Sequence, residues 1–214
     1  MAAGLAVRRL GLRDYAEVWE AMKAFTRSRG PETPDELWAV QHPTVLTLGT
    51  GADPSNIFPN CPFPVVQTDR GGEVTCHTPG QVVVYLLLDL RRRHLLIRPM
   101  VRLIEDAMIA TLAGFGIEGL RHDGAPGIYV AVPGGEGDFR GTEKIGALGL
   151  KVSRGCTYHG LSLNVRIDRR AFLAINPCGY SGLRTADMAQ MGFAGTVEEV
   201  EDKLLENLTL RLQQ

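Results

Sequence analysis

Three short stretches of the chain gather reactive side chains among small residues. The first is Arg70-Gly71-Gly72-Glu73-Val74-Thr75-Cys76-His77-Thr78-Pro79-Gly80-Gln81. Its glycines allow a backbone to come close to a bound ligand, and Arg70 and His77 bring polar groups to the same loop. The second is Lys144-Ile145-Gly146-Ala147-Leu148-Gly149-Leu150-Lys151. Glycine inside a strand weakens it and often marks the close approach of a ligand or another backbone. The third, Asn176-Pro177-Cys178-Gly179-Tyr180, holds a thiol on a Pro/Gly turn rather than inside a regular element.

A cysteine nucleophile works as its thiolate, and its ordinary pKa of about 8.5 falls beside a lysine or histidine. A lysine held in a partly desolvated strand can lose its own proton and serve as a base. A Cys–Lys pair could therefore activate the thiol, accept an acyl group as a thioester and deprotonate an incoming amine. Glycine-lined backbone would offer N–H donors to the tetrahedral oxyanion.

Each residue also has a plainer reading. A lone intracellular cysteine is usually a small buried hydrophobe. Lys144 could be a solvated strand charge, and His77 and His159 satisfied structural histidines. The glycine-rich run from Gly134 to Gly141 lacks the pattern of a phosphate-binding loop and reads as a turn. A zinc site is a rival, because Cys76-His77 and Cys156-x-x-His159 supply two thiols and two imidazoles. Adjacent strand residues point to opposite faces, however, which argues against Cys76 and His77 sharing one ion.

The elements that must position these residues are legible in part. Asp14 and Glu17 cap a first helix whose apolar face is Tyr15, Val18, Trp19, Met22 and Phe25. Strand-like runs follow at Glu36–Gln41, Val45–Leu48, Val65–Thr68 and Val82–Leu90, each bounded by Pro, Gly or Asn. A second helix runs from about Met100 to Ala113, ended by Gly114 and Gly116. Strands return at Gly127–Val132, Thr142–Val152 and Thr157–Val165, with Pro133 to Gly141 as a flexible hairpin loop. The turn Ser153-Arg154-Gly155-Cys156 predicts that the strands of Lys144 and His159 pair antiparallel. Thr196 and Glu199 form a capping box for a last helix. Strands in runs with helices between them predict an α+β fold with a mixed or antiparallel sheet flanked by helices.

Composition narrows the class. With 44% hydrophobic and 22% charged residues, the 214-residue chain reads as an ordinary soluble globular protein. No linker divides it, so a single catalytic domain over 1–214 is expected. A net charge of −1 gives no pointer to nucleic acid or membrane. Four irregularly spaced cysteines suit a reducing compartment. No apolar run is long enough for a signal peptide or a membrane span, so a cytoplasmic location is expected.

Taken together the clusters resemble the lipoyl(octanoyl) transferase family over nearly the whole chain. The resemblance is carried by Asp69-Arg70-Gly71-Gly72 with His77, Pro79, Gly80 and Gln81, by Ala125-Pro126-Gly127-Ile128-Tyr129-Val130, and by Lys144-Ile145 with Leu148-Gly149-Leu150. Arg154-Gly155-Cys156, His159-Gly160-Leu161, Leu163-Asn164-Val165 and Ile175-Asn176-Pro177-Cys178-Gly179 complete it. It implies a biotin/lipoate-protein-ligase-like fold and transfer of octanoyl from octanoyl-acyl carrier protein to a lysine of a lipoyl domain. Such acceptors occur in 2-oxoacid dehydrogenase subunits and the glycine-cleavage carrier protein. The resemblance makes Cys178 the acyl-enzyme nucleophile and Lys144 the residue that lowers its pKa. It assigns substrate contacts to Arg70, Gly71, Gly72, Glu73, Val74, Thr75, Cys76 and His77, to Ala147, Leu148 and Gly149, and to Gly160, Leu161 and Ser162. No metal or other cofactor is implied.

The family usually has Thr-Tyr-His-Gly-Pro-Gly-Gln where this chain has Thr75-Cys76-His77-Thr78-Pro79-Gly80-Gln81. That departure bears on the pocket's shape and the acyl length it takes. The nearest alternatives are an ATP-dependent lipoate or biotin ligase on the same fold, and a binding module without turnover. Arg91-Arg92-Arg93-His94 is the sequence's candidate patch for docking an acidic carrier, its plain reading being a solvated turn.

Overall fold

The computed structural model describes residues 4–133 and 139–213. Ten strands and three α-helices follow in chain order: β1 Leu5–Leu12, α1 Tyr15–Ser28, β2 Asp35–Gln41, β3 Val45–Leu48, β4 Val65–Gln67, β5 Val74–His77 and β6 Gln81–Leu87. Then come α2 Ile97–Gly114, β7 Leu120–His122, β8 Ala125–Ala131, β9 Thr142–Ser153, β10 Cys156–Asn164 and α3 Val197–Leu212. A seven-stranded sheet has the order β1-β2-β6-β10-β9-β8-β7, and a three-stranded sheet the order β4-β3-β5. The β1–β2 and β3–β4 pairs are parallel and the other ladders antiparallel. This is the α+β fold with a mixed sheet that the sequence predicts.

Period-two patterning puts the large sheet between two layers. Leu37, Ala39, Val82, Val84 and Leu86 face one core with α2 and α3, while Trp38, Val40, Val83, Tyr85 and Leu87 face α1. All seven residues of β6 are therefore buried, and after Gln81 its sequence is a continuous apolar run. The helix signals hold as chemistry. Asp14 accepts from the backbone N–H groups of Ala16 and Glu17, and Thr196 and Glu199 close a reciprocal capping box.

The predicted β9–β10 hairpin is present, with Gly160 opposite Gly149 and Ser162 opposite Ala147. Arg154 and Gly155 take left-handed φ values of 55° and 83° at its turn, as a tight antiparallel connection requires. The loop expected between β8 and β9 falls largely on 134–138, outside the described residues; Val132 N–H donates to Gly141 O at its base.

Two expectations are corrected. The segment 74–77 is a strand, paired antiparallel with β3, and not a loop. Of the arginines proposed for docking, Arg92 and Arg93 turn inward. Together with Arg29 they converge on Asp35, which is 1% exposed. Arg92 also donates to the carbonyls of Pro31 and Thr33, and Arg93 to that of Leu212. A carboxylate buried among strands draws the cations in, so these two guanidinium groups tie the fold together.

Candidate active site

The nucleophile candidate sits on a turn shaped by its own sequence. Asn176 precedes a 3₁₀ turn, Pro177–Gly179, where the fixed φ of proline suits the first position. Asn176 is pinned to Asn56 through backbone (2.8 Å) and side-chain (3.1 Å) hydrogen bonds. Cys178 then adopts φ 56°, ψ 25°, a left-handed conformation uncommon for a residue with a Cβ. Such strain is found where a side chain must be aimed.

The segment after this turn is laid along β9. Lys144 N–H donates to Arg184 O (2.9 Å), and Ala186 N–H donates to Lys144 O (3.0 Å). These bonds bring together two residues 34 positions apart: Lys144 Nζ lies 3.2 Å from Cys178 Sγ and 2.8 Å from Pro126 O. The lysine is 5% exposed, with Nζ 5.2 Å from the Tyr129 ring centroid. Its path depends on a glycine. At Gly127, φ 126°, a Cβ would lie 2.6 Å from Lys144 Cε and 2.7 Å from Gly146 O. Burial disfavours the Lys144 ammonium, but attraction to a Cys178 thiolate and to Tyr129 outweighs it and holds the lysine pKa above its ordinary value.

Both residues line a cavity of about 360 Å³, a size suited to a small ligand. Of the residues that the resemblance assigns, Arg70, Gly71, Gly72, Glu73, Val74, Thr75, His77, Ala147, Leu148, Gly149, Gly160, Leu161 and Ser162 line it too. Cys76 does not. Its thiol lies on the opposite side of β5, in a core with Leu46, Leu48 and Phe172, fully buried. Strand alternation turns it away from Thr75 and His77, and burial pushes its pKa up to about 12.

The polar wall is largely self-satisfied. Arg70 is buried and spends its guanidinium on Thr47 O (2.7 Å), Thr47 Oγ1 (2.8 Å) and Gly71 O (3.1 Å). Of the glycine N–H groups expected for an oxyanion, those of Gly71 and Gly179 are engaged, by Leu150 O (2.9 Å) and Asn176 O (3.1 Å). The rival zinc set is not assembled. Cys76 and His77 face opposite ways, and among the described residues no group of three or more His, Cys, Asp or Glu side chains could hold a metal ion.

Sequence reasoning missed a second cluster on the same cavity. Tyr15, Tyr85 and His159 line it, and His159 donates from Nε2 to Asp69 Oδ1 at 2.9 Å. Asp69 also accepts from Trp19 Nε1 (3.0 Å) and from the Tyr158 hydroxyl. Burial raises the Asp69 pKa, but these three donors outweigh it and leave it below the usual range. Burial takes His159 down to about 4, against the pull of Asp69, so it is neutral at pH 7. The aspartate preceding Arg70-Gly71-Gly72 was the available signal, since a carboxylate beside such a loop needs donors.

The fold and sequence define the class. A family model for the lipoyl protein ligase A/B catalytic domain matches residues 14–209. An archaeal lipoate protein ligase structure from Thermoplasma acidophilum superposes with TM-score 0.74 at 14% identity, covering 100% of this chain and 85% of that one. A biotin protein ligase from Aquifex aeolicus gives 0.57 at 11% identity, covering 98% and 70%. At those identities the likeness is one of fold. Sequence relatives are much nearer. An octanoyltransferase of Paraburkholderia xenovorans is 52% identical over 98% of this chain and 87% of its own length. That of Polynucleobacter asymbioticus is 50% identical over 96% and 97%. The chain belongs to the octanoyltransferase family and is an acyltransferase.

Proposed function

We propose that this chain, acting as one catalytic domain in the cytoplasm, moves an octanoyl group from octanoyl-acyl carrier protein to a lysine of a lipoyl domain, through a thioester on Cys178. Acceptors would be the lipoyl domains of 2-oxoacid dehydrogenase subunits and the glycine-cleavage carrier protein. The observation that carries the reading is the 3.2 Å approach of Lys144 Nζ to Cys178 Sγ on the wall of a largely apolar cavity. The names of the relatives support the acyl group transferred.

The raised lysine pKa suggests how one residue serves both halves of the reaction. In its reactive form the pair is a thiolate and an ammonium. The thiolate attacks the donor carbonyl, the carrier's sulfur leaves, and Lys144 gives it a proton, so a neutral thioester faces a neutral amine. Acylation has removed the charge that held the proton on Lys144, and burial now favours the neutral lysine. In that form it is a base for the attacking acceptor amine. Amide formation expels the Cys178 thiolate and restores the ammonium beside it.

Intact-mass measurement tests the reading. Mixing with octanoyl-acyl carrier protein, without ATP, is expected to add one octanoyl group to Cys178, and a lipoyl domain should then remove it. A requirement for ATP, with no adduct, would favour the ligase chemistry found elsewhere on this fold.

A further inference from the structure

We infer that Glu73 receives the acceptor lysine as its ammonium, and so selects a cationic side chain for the second half-reaction. The inference rests on the thioester reading above and adds to it the residue that recognises the nucleophile. Among the described residues lining the cavity, Glu73 carries the one carboxylate. Its carboxyl carbon lies 3.1 Å from the point that a Cβ on Gly179 would occupy, so the group packs against the residue that follows the nucleophile. Gly179 is left-handed, φ 74°, and has no side chain to block that approach.

The carboxylate is not consumed by the fold. Among the described residues its one hydrogen bond is at Oε2, from Asp53 N–H at 3.1 Å. The neighbouring Arg70 spends its guanidinium on Thr47 and Gly71 and makes no ion pair with it. Glu73 is also half-buried, unlike the fully buried Val74 and His77 beside it, which leaves it open to solvent and to an arriving chain.

The reaction needs such a group. The acceptor lysine reaches the acyl-enzyme protonated, while Arg70 places positive charge in the wall. A carboxylate beside Cys178 offsets that repulsion and holds the amine within reach of the thioester. The protons then balance. The ammonium loses one to solvent at the Glu73 side. The free amine attacks the carbonyl carbon, Lys144 takes a second proton, and the C–S bond breaks to give amide, thiolate and lysine ammonium.

Half-reactions separate this role from a structural one. For Glu73→Gln the KM for a lipoyl-domain acceptor should rise about tenfold, with kcat changed far less, because a charge-assisted contact made before the transition state is lost. Raising salt should lift the wild-type KM towards that of the variant. Acylation by a small octanoyl thioester, and cleavage of the acyl-enzyme by hydroxylamine, a neutral nucleophile, should lose far less than transfer to the lipoyl domain. Glu73→Asp should recover part of the KM. Equal losses with the lipoyl domain and hydroxylamine would mean that Glu73 only anchors the 49–53 loop, and an unchanged KM would mean that it meets no ammonium; either result overturns the proposal. Absence of any wild-type adduct on Cys178 is a different failure, that of the thioester reading itself.

Discussion

Asp35 and Lys144 are both buried charges, and the contrast between their surroundings separates architecture from chemistry. Both oxygens of Asp35 are taken. Arg29 and Arg92 bond Oδ1 at 2.5 and 2.6 Å, Arg93 binds Oδ2, and Asp89 N–H adds a further bond at 2.9 Å. Lys144 has a carbonyl and a thiol for partners, and that thiol opens onto a cavity. A charge saturated on every side has no capacity left for a substrate. One whose main partner is itself reactive changes state when that partner does.

The sharpest test exchanges the two roles. Lys144→Met should lower transfer by about 10² to 10⁴-fold, the usual range for loss of a positioned acid–base group. It should leave thermal stability nearly unchanged, since methionine can follow the path of the buried lysine stem. Alkylation of Cys178 by iodoacetamide near neutral pH should slow in the same variant; an unchanged rate would break the dyad. Asp35→Asn should do the reverse. Removing the carboxylate strands three guanidinium groups, an effect of about 3–5 kcal/mol on unfolding in denaturant. The folded fraction should keep its specific activity, and a selective loss of turnover would place Asp35 in the chemistry.

A smaller effect probes how the lysine is aimed. Gly127→Ala should displace the Lys144 stem and cost roughly 10²-fold in activity, as about an ångström of misplacement does. Near-wild-type kinetics would show that Nζ tolerates more movement than the packing suggests.

Acid stability gives the gentlest test and belongs to the buried histidines, of which His77 and His159 line the cavity. His42, His77 and His159 are buried, and burial lowers the pKa of each, to about 4 for His159. Between the unfolded value of about 6.5 and these folded values the unfolded chain binds more protons. Stability should therefore fall as pH drops from about 6.5 towards 4, each histidine adding up to about 1.4 kcal/mol per pH unit. Asp69 works in the same direction at lower pH, where its own folded-state pKa is passed. His159→Gln should flatten the slope by one proton, and an unaltered slope would mean that His159 is already charged in the fold.

Most long elements were legible because each carries one clear period, as the helix faces and the apolar run of β6 do. The losses were local. β5 has four residues, set between Gly72 and Pro79, too few for alternation to stand out, and the pairing with β3 decides their conformation. β1 was missed because Arg8 and Arg9 interrupt its pattern, although both find carboxylates, Glu36 and Glu201, across the fold. Cys76 was placed at the pocket by the resemblance's unbroken run of contacts, and the face that β5 gives it, into the core with Leu46 and Phe172, excludes it. The arginine run after β6 could not declare its partner, because Asp35 lies over 50 residues away in sequence. The contact of Lys144 with Cys178 is likewise invisible to spacing; their pairing was an implication of family resemblance, and the bonds from β9 to residues 184 and 186 supply its physical basis.

The thiols differ in a way that matters for covalent ligands. Cys76 and Cys156 are buried, with burial raising the pKa of each, and Cys61 is partly covered in a loop. Cys178 alone combines partial exposure with a lysine at contact distance. An electrophile carried on a short alkyl tail would be sorted twice, by the fit of its tail in the cavity and by the lysine beside the sulfur it meets. Inhibitor selectivity against other cellular thiols could thus be tuned through the tail while the warhead stays mild.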